Sequence, residues 1–132
     1  MYLVNQKIRA MKNFKELNIW KRGIELVKSI YILSRGLPAE EKFGMISQLT
    51  RAAVSIPANI AEDSSRSSEK DYARFLQIVL GSAFEVQTYL VIVKEMNWAT
   101  NEKLAPIELF LEEEIKMMHS FIRKLGGDSR QL

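Results

Sequence analysis

The chain has 132 residues, 47% of them hydrophobic, which fits one domain with a single core. It contains no cysteine, which excludes disulfides and thiolate metal sites, and its apolar runs are shorter than the roughly 20 residues that cross a bilayer, so we expect a cytoplasmic protein without a membrane partner. The formal net charge is +3, but residues 1–35 hold +6 and the remainder −3, an asymmetry that suits an anionic partner such as RNA or DNA and equally suits a solvated surface.

Turn signals and apolar residues at spacings of three and four predict four helices and no strands. The expected ranges are Phe14–Arg35, Ala39–Asp63, a third helix that is capped by Ser67 or Ser68 and reaches about Asn97, and a fourth helix that starts between Thr100 and Pro106 and ends before Gly126. Short connections favour antiparallel neighbours, so the predicted fold is all-α, an up-down-up-down four-helix bundle over residues 14–125. Residues 1–13 are interpreted as an N-terminal extension and residues 126–132 as a flexible tail.

The first helix carries apolar residues over about half of its circumference, more than the ~100° stripe that one core requires. One seam holds Leu17, Trp20, Ile24, Val27 and Tyr31, and the second holds Ile19, Leu26, Ile30, Leu33 and Leu37. Either the helix touches two neighbours within its own bundle, or another copy of the chain covers the second seam. Because large apolar patches rarely stay exposed, we expect an oligomer interface at Ile19, Leu26, Ile30 and Leu33.

Three cations of the same helix, Lys21, Lys28 and Arg35, are seven residues apart and share its polar side. They are candidate contacts to nucleic-acid phosphates, and the alternative interpretation is an ordinary solvated face.

The second helix contains the run RAAVSIPANIAE, residues 51–62, with Pro57 at its centre. Pro57 has no N–H and its ring crowds the carbonyl of Ala53, so the pattern predicts a kinked second helix. The small residues around it allow another helix to approach closely. In an antiparallel pairing with the third helix, Gly81 falls opposite Arg51, and we expect close packing there because a glycine inside a helix otherwise costs about 1 kcal/mol.

Polar residues of this pairing are predicted to form a buried network that fixes helix register. Its members are Arg51, Ser55, Asn59, Glu62, Arg74 and Glu85. The alternative is a small-molecule-binding protein or enzyme that uses the Arg51, Asn59 and Glu85 cluster.

Signals of catalysis and of cofactor binding are missing from the sequence. His119 is the only histidine and no Glu-x-x-His occurs, which argues against a di-iron site. The six glycines form no phosphate-binding loop, so no cofactor is expected. The run Glu112–Glu114 is expected to be a solvated helix face.

Three stretches resemble one bacterial family. They are FKELNIWKRGIELV from Phe14, LPAEEKFGM from Leu37, and SQLTRAAVSIPANIAEDSSRSSEKDYARFLQIVLGSAFEVQ from Ser47. Together they are similar to the 23S rRNA-intervening-sequence proteins, which are four-helix bundles. The family commonly begins near Met11, which is consistent with an extension upstream of that residue.

The resemblance implies a homo-oligomer, commonly a pentameric ring, with no enzymatic activity. A related branch, the accessory proteins of diversity-generating retroelements, forms basic pentamers that bind nucleic acid and a reverse transcriptase. Asp63 stands where the family usually has Gly, and Leu80 where it usually has Arg, and both remove positive character. We therefore expect a non-enzymatic binding or scaffold protein whose sharper role, as an RNA or DNA binder or ribonucleoprotein accessory, is weaker than in the basic branch.

Overall fold

The computed structural model describes residues 13–126 and contains four α-helices within them. They are α1 (Asn18–Ser34), α2 (Met45–Asp63), α3 (Glu69–Glu95) and α4 (Asn101–Lys124).

 The longest helix is α3, with 27 residues. Two 3₁₀ turns, Phe14–Glu16 and Ala39–Glu41, precede α1 and α2, and no strand occurs among the described residues. The predicted all-α, four-helix fold class is confirmed. The predicted extension and tail fall almost wholly on residues 1–12 and 127–132, which lie outside the described residues.

Side-chain caps set the starts of α3 and α4 and decide between the starts that the sequence left open, in favour of Ser68 and Thr100. Ser68 Oγ accepts from the Asp71 N–H at 3.0 Å, and Thr100 Oγ1 accepts from the Lys103 N–H at 3.3 Å. The helix α2 begins six residues later than predicted because its start is capped by Glu41, whose Oε1 accepts from the Met45 N–H at 3.1 Å. The residues before that cap form a 3₁₀ turn instead.

Cross-helix contacts show how the helices run relative to one another. Tyr72 OH of α3 donates to the Ile60 carbonyl of α2 at 2.8 Å, and Tyr89 OH lies 3.4 Å from Gln48 Oε1. The higher-numbered residue of α3 therefore contacts the lower-numbered residue of α2, as in an antiparallel pair. Each helix packs on its neighbours in the chain, and α1 also packs on α4, which closes the bundle.

The core lies between the four helices and draws on all of them. Its largest fully buried side chains are Tyr72, Leu26, Ile30, Leu49, Ile56, Ile60, Leu76, Leu80, Leu90, Leu104, Leu111 and Met118. Tyr72 is the one with a polar atom, and its hydroxyl is satisfied by the Ile60 carbonyl while its ring meets Phe121 edge-on, with 6.0 Å between centroids.

The predicted oligomer seam of α1 is wrong, because its side chains are buried within a single chain. Their exposed fractions are Ile19 4%, Leu26 0%, Ile30 0% and Leu33 7%. The other seam is the outer one, with Ile24 37% and Tyr31 49% exposed. Gly23 decides which seam of α1 is buried. It lies on the same side of the helix as the buried seam, and because it has no side chain, α1 can approach α2 closely when that side faces the core.

The close approach predicted at Gly81 is also wrong, and it occurs at Gly23 instead. A Cβ built on Gly81 meets nothing within 4 Å, because Gly81 lies on the exposed side of α3. A Cβ built on Gly23 would lie 3.2 Å from Pro57 Cβ and 3.4 Å from Pro57 Cδ. The small residue that accommodates the buried proline therefore belongs to α1. The helix α2 continues through Pro57 without a break. The kink predicted at this proline stays a prediction.

By length and composition, α3 is the one helix of residues 13–126 that could cross a membrane, with a hydropathy of 1.6 over its most apolar window. Of that window, 39% is buried inside the bundle, and the core helix of a soluble protein passes the same test. The feature is weak evidence for a membrane span.

Candidate functional site

The predicted buried polar network does not form. Ser55 Oγ donates to the carbonyl of Ala52 within its own helix at 2.7 Å. Arg74 pairs with Asp71, one turn away, at 3.1 Å. Both side chains make their hydrogen bonds within their own helix. They therefore do not form the contacts between α2 and α3 that the predicted network requires.

The remaining members of the network also lack contacts with one another. Glu85 Oε2 accepts from Tyr89 OH at 3.1 Å, while Arg51 and Glu62 are exposed and Asn59 is half-buried. No hydrogen bond or ion pair joins any two of the six residues. The Arg51, Asn59 and Glu85 cluster, proposed as the alternative small-molecule site, therefore has no geometry that brings its groups together.

Within residues 13–126, no group of three or more His, Asp or Glu side chains is arranged to hold a metal ion. His119 is half-buried on α4 beside the apolar stripe.

The three candidate phosphate contacts, Lys21, Lys28 and Arg35, are all exposed on one side of α1 or at its end. At 1.5 Å per residue, successive members are about 10.5 Å apart along the helix. Lys28 Nζ lies 3.8 Å from Glu25 Oε1, and both side chains are solvent-exposed, so this ion pair is weak. Lys21 and Arg35 have no ion pair with any described residue.

Exposed apolar side chains lie among these cations. Ile24 and Tyr31 are 37% and 49% exposed, and Tyr31 follows Lys28 by three residues and precedes Arg35 by four. Residues three and four apart are neighbours on a helix surface. We name Lys21, Ile24, Lys28, Tyr31 and Arg35 the α1 outer face. Cations beside an exposed aromatic ring are the chemistry that single-stranded nucleic acid requires, phosphate contact and base stacking.

A second pairing of a cation with an aromatic ring lies in the connection after α1, and the sequence interpretation missed it. Phe43 is 88% exposed, and Lys42 Nζ lies 5.5 Å from its ring centroid. The available signal is a large aromatic residue in a turn next to charged residues, where no helix stripe can bury it.

A buried carboxyl between α1 and α4 was missed as well. Glu114 is 0% exposed, and neither of its carboxylate oxygens has a hydrogen-bond partner. Burial raises the pKa of Glu114 to about 8, against the lowering effect of Arg22. The expectation of a solvated Glu112–Glu114 face is therefore wrong for its last member. The available signal is spacing, because Glu114 follows Leu111 by three residues and so falls on the buried side of α4.

Asp63, one of the two departures from the family pattern, has a local role. Its Oδ1 lies 3.6 Å from Arg66 Nη2, and the Arg66 guanidinium stacks on the Phe75 ring at 3.5 Å. Desolvation raises the pKa of Asp63, with Arg66 acting in the opposite direction. Asp63 at the end of α2 is thus linked to Phe75 of α3 through Arg66.

Residues 15–120 match the model of the family described as 23S rRNA-intervening sequence protein. The chain belongs to this family. A protein of unknown function from the S23 ribosomal protein family of Bacteroides thetaiotaomicron, known from a crystal structure at 1.70 Å resolution, is similar to it, with a TM-score of 0.72 and 30% sequence identity. That similarity covers 79% of this chain and 97% of the other. No curated protein matches the chain.

The resemblance drawn from the sequence motifs is thus confirmed at the level of the family. The structural neighbour has no stated activity, so its similarity carries the fold and the family and assigns no chemistry to the α1 outer face.

Proposed function

We propose that this 23S rRNA-intervening sequence protein is a non-enzymatic RNA-binding module that contacts phosphates through the α1 outer face. The observation that supports it is the exposed row of Lys21, Lys28 and Arg35 with Tyr31 beside its second half. The family's description refers to sequence that interrupts 23S rRNA, which makes RNA the first partner to test.

The contribution of each group follows from its chemistry. The three cations neutralise phosphates and release counterions, which gives sequence-independent affinity with a strong dependence on salt. A base that is not stacked on its neighbours can stack on the Tyr31 ring, and base–aromatic stacking contributes about 1–3 kcal/mol per base. The expected ligand is therefore a single-stranded or looped RNA.

We further propose that copies of the chain assemble, with a ring of five as the form that the family resemblance implies. The support is a set of exposed apolar side chains away from the α1 outer face, at Ile78 (66%), Val91 (53%) and Leu109 (58%). Assembly would present several α1 outer faces to one RNA and raise the overall affinity through multivalency.

A non-enzymatic role is supported by the lack of any hydrogen bond or ion pair among Arg51, Asn59 and Glu85, which the alternative small-molecule site would need. We also infer a bacterial protein, because the similar solved protein comes from Bacteroides thetaiotaomicron, and a cytoplasmic one, where ribosomal RNA would be its partner.

The RNA proposal is tested by fluorescence anisotropy with a labelled single-stranded RNA at low and at physiological salt. We expect binding that weakens as salt rises and that Tyr31→Ala weakens further. Tyr89→Ala is the matched control, because Tyr89 lies on α3 and outside the α1 outer face. Binding that is absent at low salt, or equally affected by both tyrosine variants, contradicts the proposal.

Assembly is tested separately by the mass of the purified protein in solution. We expect a multiple of the 15.2 kDa chain mass for the wild type and a smaller particle for the variant Ile78→Lys with Leu109→Lys. A wild-type monomer at micromolar concentration contradicts it.

A further inference from the structure

The contact between α1 and α4 contains a carboxyl group with no compensating hydrogen bond. Glu114 of α4 is fully buried, and both of its carboxylate oxygens lack a hydrogen-bond partner. Its Oε2 lies 3.6 Å from the position that a Cβ on Gly23 would occupy. The missing side chain of Gly23 therefore makes the room that this carboxyl occupies.

Arg22 lies beside this carboxyl, but its hydrogen bonds go to other groups, and its buried Nε has no hydrogen-bond partner. Its Nη2 donates to Glu113 Oε2 at 3.1 Å and to the Phe110 carbonyl at 3.2 Å, and its guanidinium lies 3.9 Å from the Phe110 ring centroid. Arg22 Nε is 3.7 Å from Glu114 Oε1, which is too long for a hydrogen bond. The arginine is therefore close to Glu114 without satisfying it.

Arg22 is the charged group that acts on Glu114. The Pro57 ring of α2 lies against the same glycine, Gly23, and no other described residue has an ion pair with Glu114. Arg22 is the one charged neighbour that lowers the pKa of Glu114, and burial outweighs it, so the pKa rises to about 8. Arg22 Nε is within ion-pairing distance of Glu114 Oε1 but donates no hydrogen bond to it, so an ionised carboxylate at this site would be buried without a hydrogen bond.

We propose that Glu114 and Arg22 form a proton-controlled latch between α1 and α4. With Glu114 in the acid form, Arg22 stays on Glu113 and the Phe110 carbonyl and the contact is closed. When Glu114 loses its proton, a buried charge is left without a hydrogen bond, and the contact between α1 and α4 loosens so that water can reach the carboxylate. This latch does not depend on RNA binding.

The direction of the pH effect follows from the difference between the folded and unfolded states. In the unfolded chain Glu114 has the ordinary glutamate pKa of 4.5, whereas in the bundle burial raises its pKa to about 8. Between these values the folded state binds one more proton, so its stability decreases as pH rises and becomes independent of this group above pH 8 or so.

The test compares the wild type with Glu114→Gln in denaturant unfolding between pH 5 and 9. We expect the unfolding constant of the wild type, relative to that of the variant, to rise about tenfold per pH unit through most of this range and then level off. The matched control is Glu112→Gln, which removes an exposed carboxyl of the same helix turn that makes no contact with Arg22, and it is expected to keep the pH dependence.

A readout on the wild type alone covers the case in which Glu114→Gln does not fold. We expect the infrared carbonyl band of a protonated carboxyl at neutral pH, with its loss at alkaline pH accompanied by a change in the Arg22 guanidinium bands. Parallel pH profiles of the wild type and Glu114→Gln, or no such band at neutral pH, would overturn the latch.

Discussion

Two glycines in the middle of long helices have opposite surroundings. Gly23 of α1 is buried, and a side chain there would press on Pro57, whereas Gly81 of α3 is exposed and a side chain there would meet open space. Around Gly23 the bundle is dry and closely packed. Around Gly81 the surface is open and carries Ile78, which is 66% exposed.

The difference teaches that a helical glycine marks a close approach only when the phase of its helix turns it inward. Gly23 fixes which side of α1 faces the core, and that choice leaves Lys21, Lys28 and Arg35 outside. Gly81 fixes nothing within the chain. The surface around it is free to contact a partner.

The largest expected difference between the two regions comes from removing apolar bulk. Leu26→Ala, one turn from Gly23, should lower the free energy of unfolding by about 2–5 kcal/mol, because Leu26 is 0% exposed and its removal leaves a cavity. Ile78→Ala beside Gly81 should change it by less than about 0.5 kcal/mol in the monomer. Urea unfolding measures both, and equal losses would contradict the contrast.

A methyl group added at each glycine should have effects of opposite sign. Gly23→Ala should destabilise the bundle by about 1–3 kcal/mol, because its Cβ must displace the Pro57 ring. Gly81→Ala should stabilise it by up to about 1 kcal/mol, because alanine favours the helix and the space is open. Thermal unfolding of the two variants checks the signs, and a stabilised Gly23→Ala would refute the close approach.

The smallest expected effect concerns tyrosine hydroxyls. Tyr72→Phe should cost about 1 kcal/mol, because it leaves the buried Ile60 carbonyl without its 2.8 Å donor. Tyr89→Phe, which removes a hydroxyl that bonds to the exposed Glu85, should cost a few tenths of a kcal/mol at most. Equal costs in denaturant unfolding would place Tyr72 in a wetter site than the bundle provides.

Local chemistry made part of this fold predictable from the sequence. Ser68 and Thr100 cap helices because a hydroxyl before a helical run satisfies free N–H groups at its start, whatever lies around it. The apolar stripe of the last helix likewise required only its own spacing. The four-helix class followed from these local signals and the short connections.

The rotation of each helix about its own axis could not be predicted in the same way. Both seams of α1 are apolar enough to face a core, and the contact of Gly23 with Pro57, 34 residues away, decides between them. The predicted network failed for the same reason, because Arg51 and Glu85 are turned outward. The burial of Glu114 was not predicted, because a run of three glutamates usually marks a solvated face.

The binding role of the α1 outer face is tested most directly by two triple variants that remove the same charge. The first is Lys21→Gln with Lys28→Gln and Arg35→Gln. The control is Lys103→Gln with Lys116→Gln and Arg123→Gln, which changes exposed cations of α4 instead. The quantity to measure is the slope of the logarithm of RNA affinity against the logarithm of salt concentration.

We expect the α1 variant to reduce the magnitude of that slope by about 2, as for three lost phosphate contacts on a single strand, and the control to leave it nearly unchanged. Equal reductions by the two variants would show that RNA responds to net charge alone, and the proposed role of the α1 outer face would be wrong.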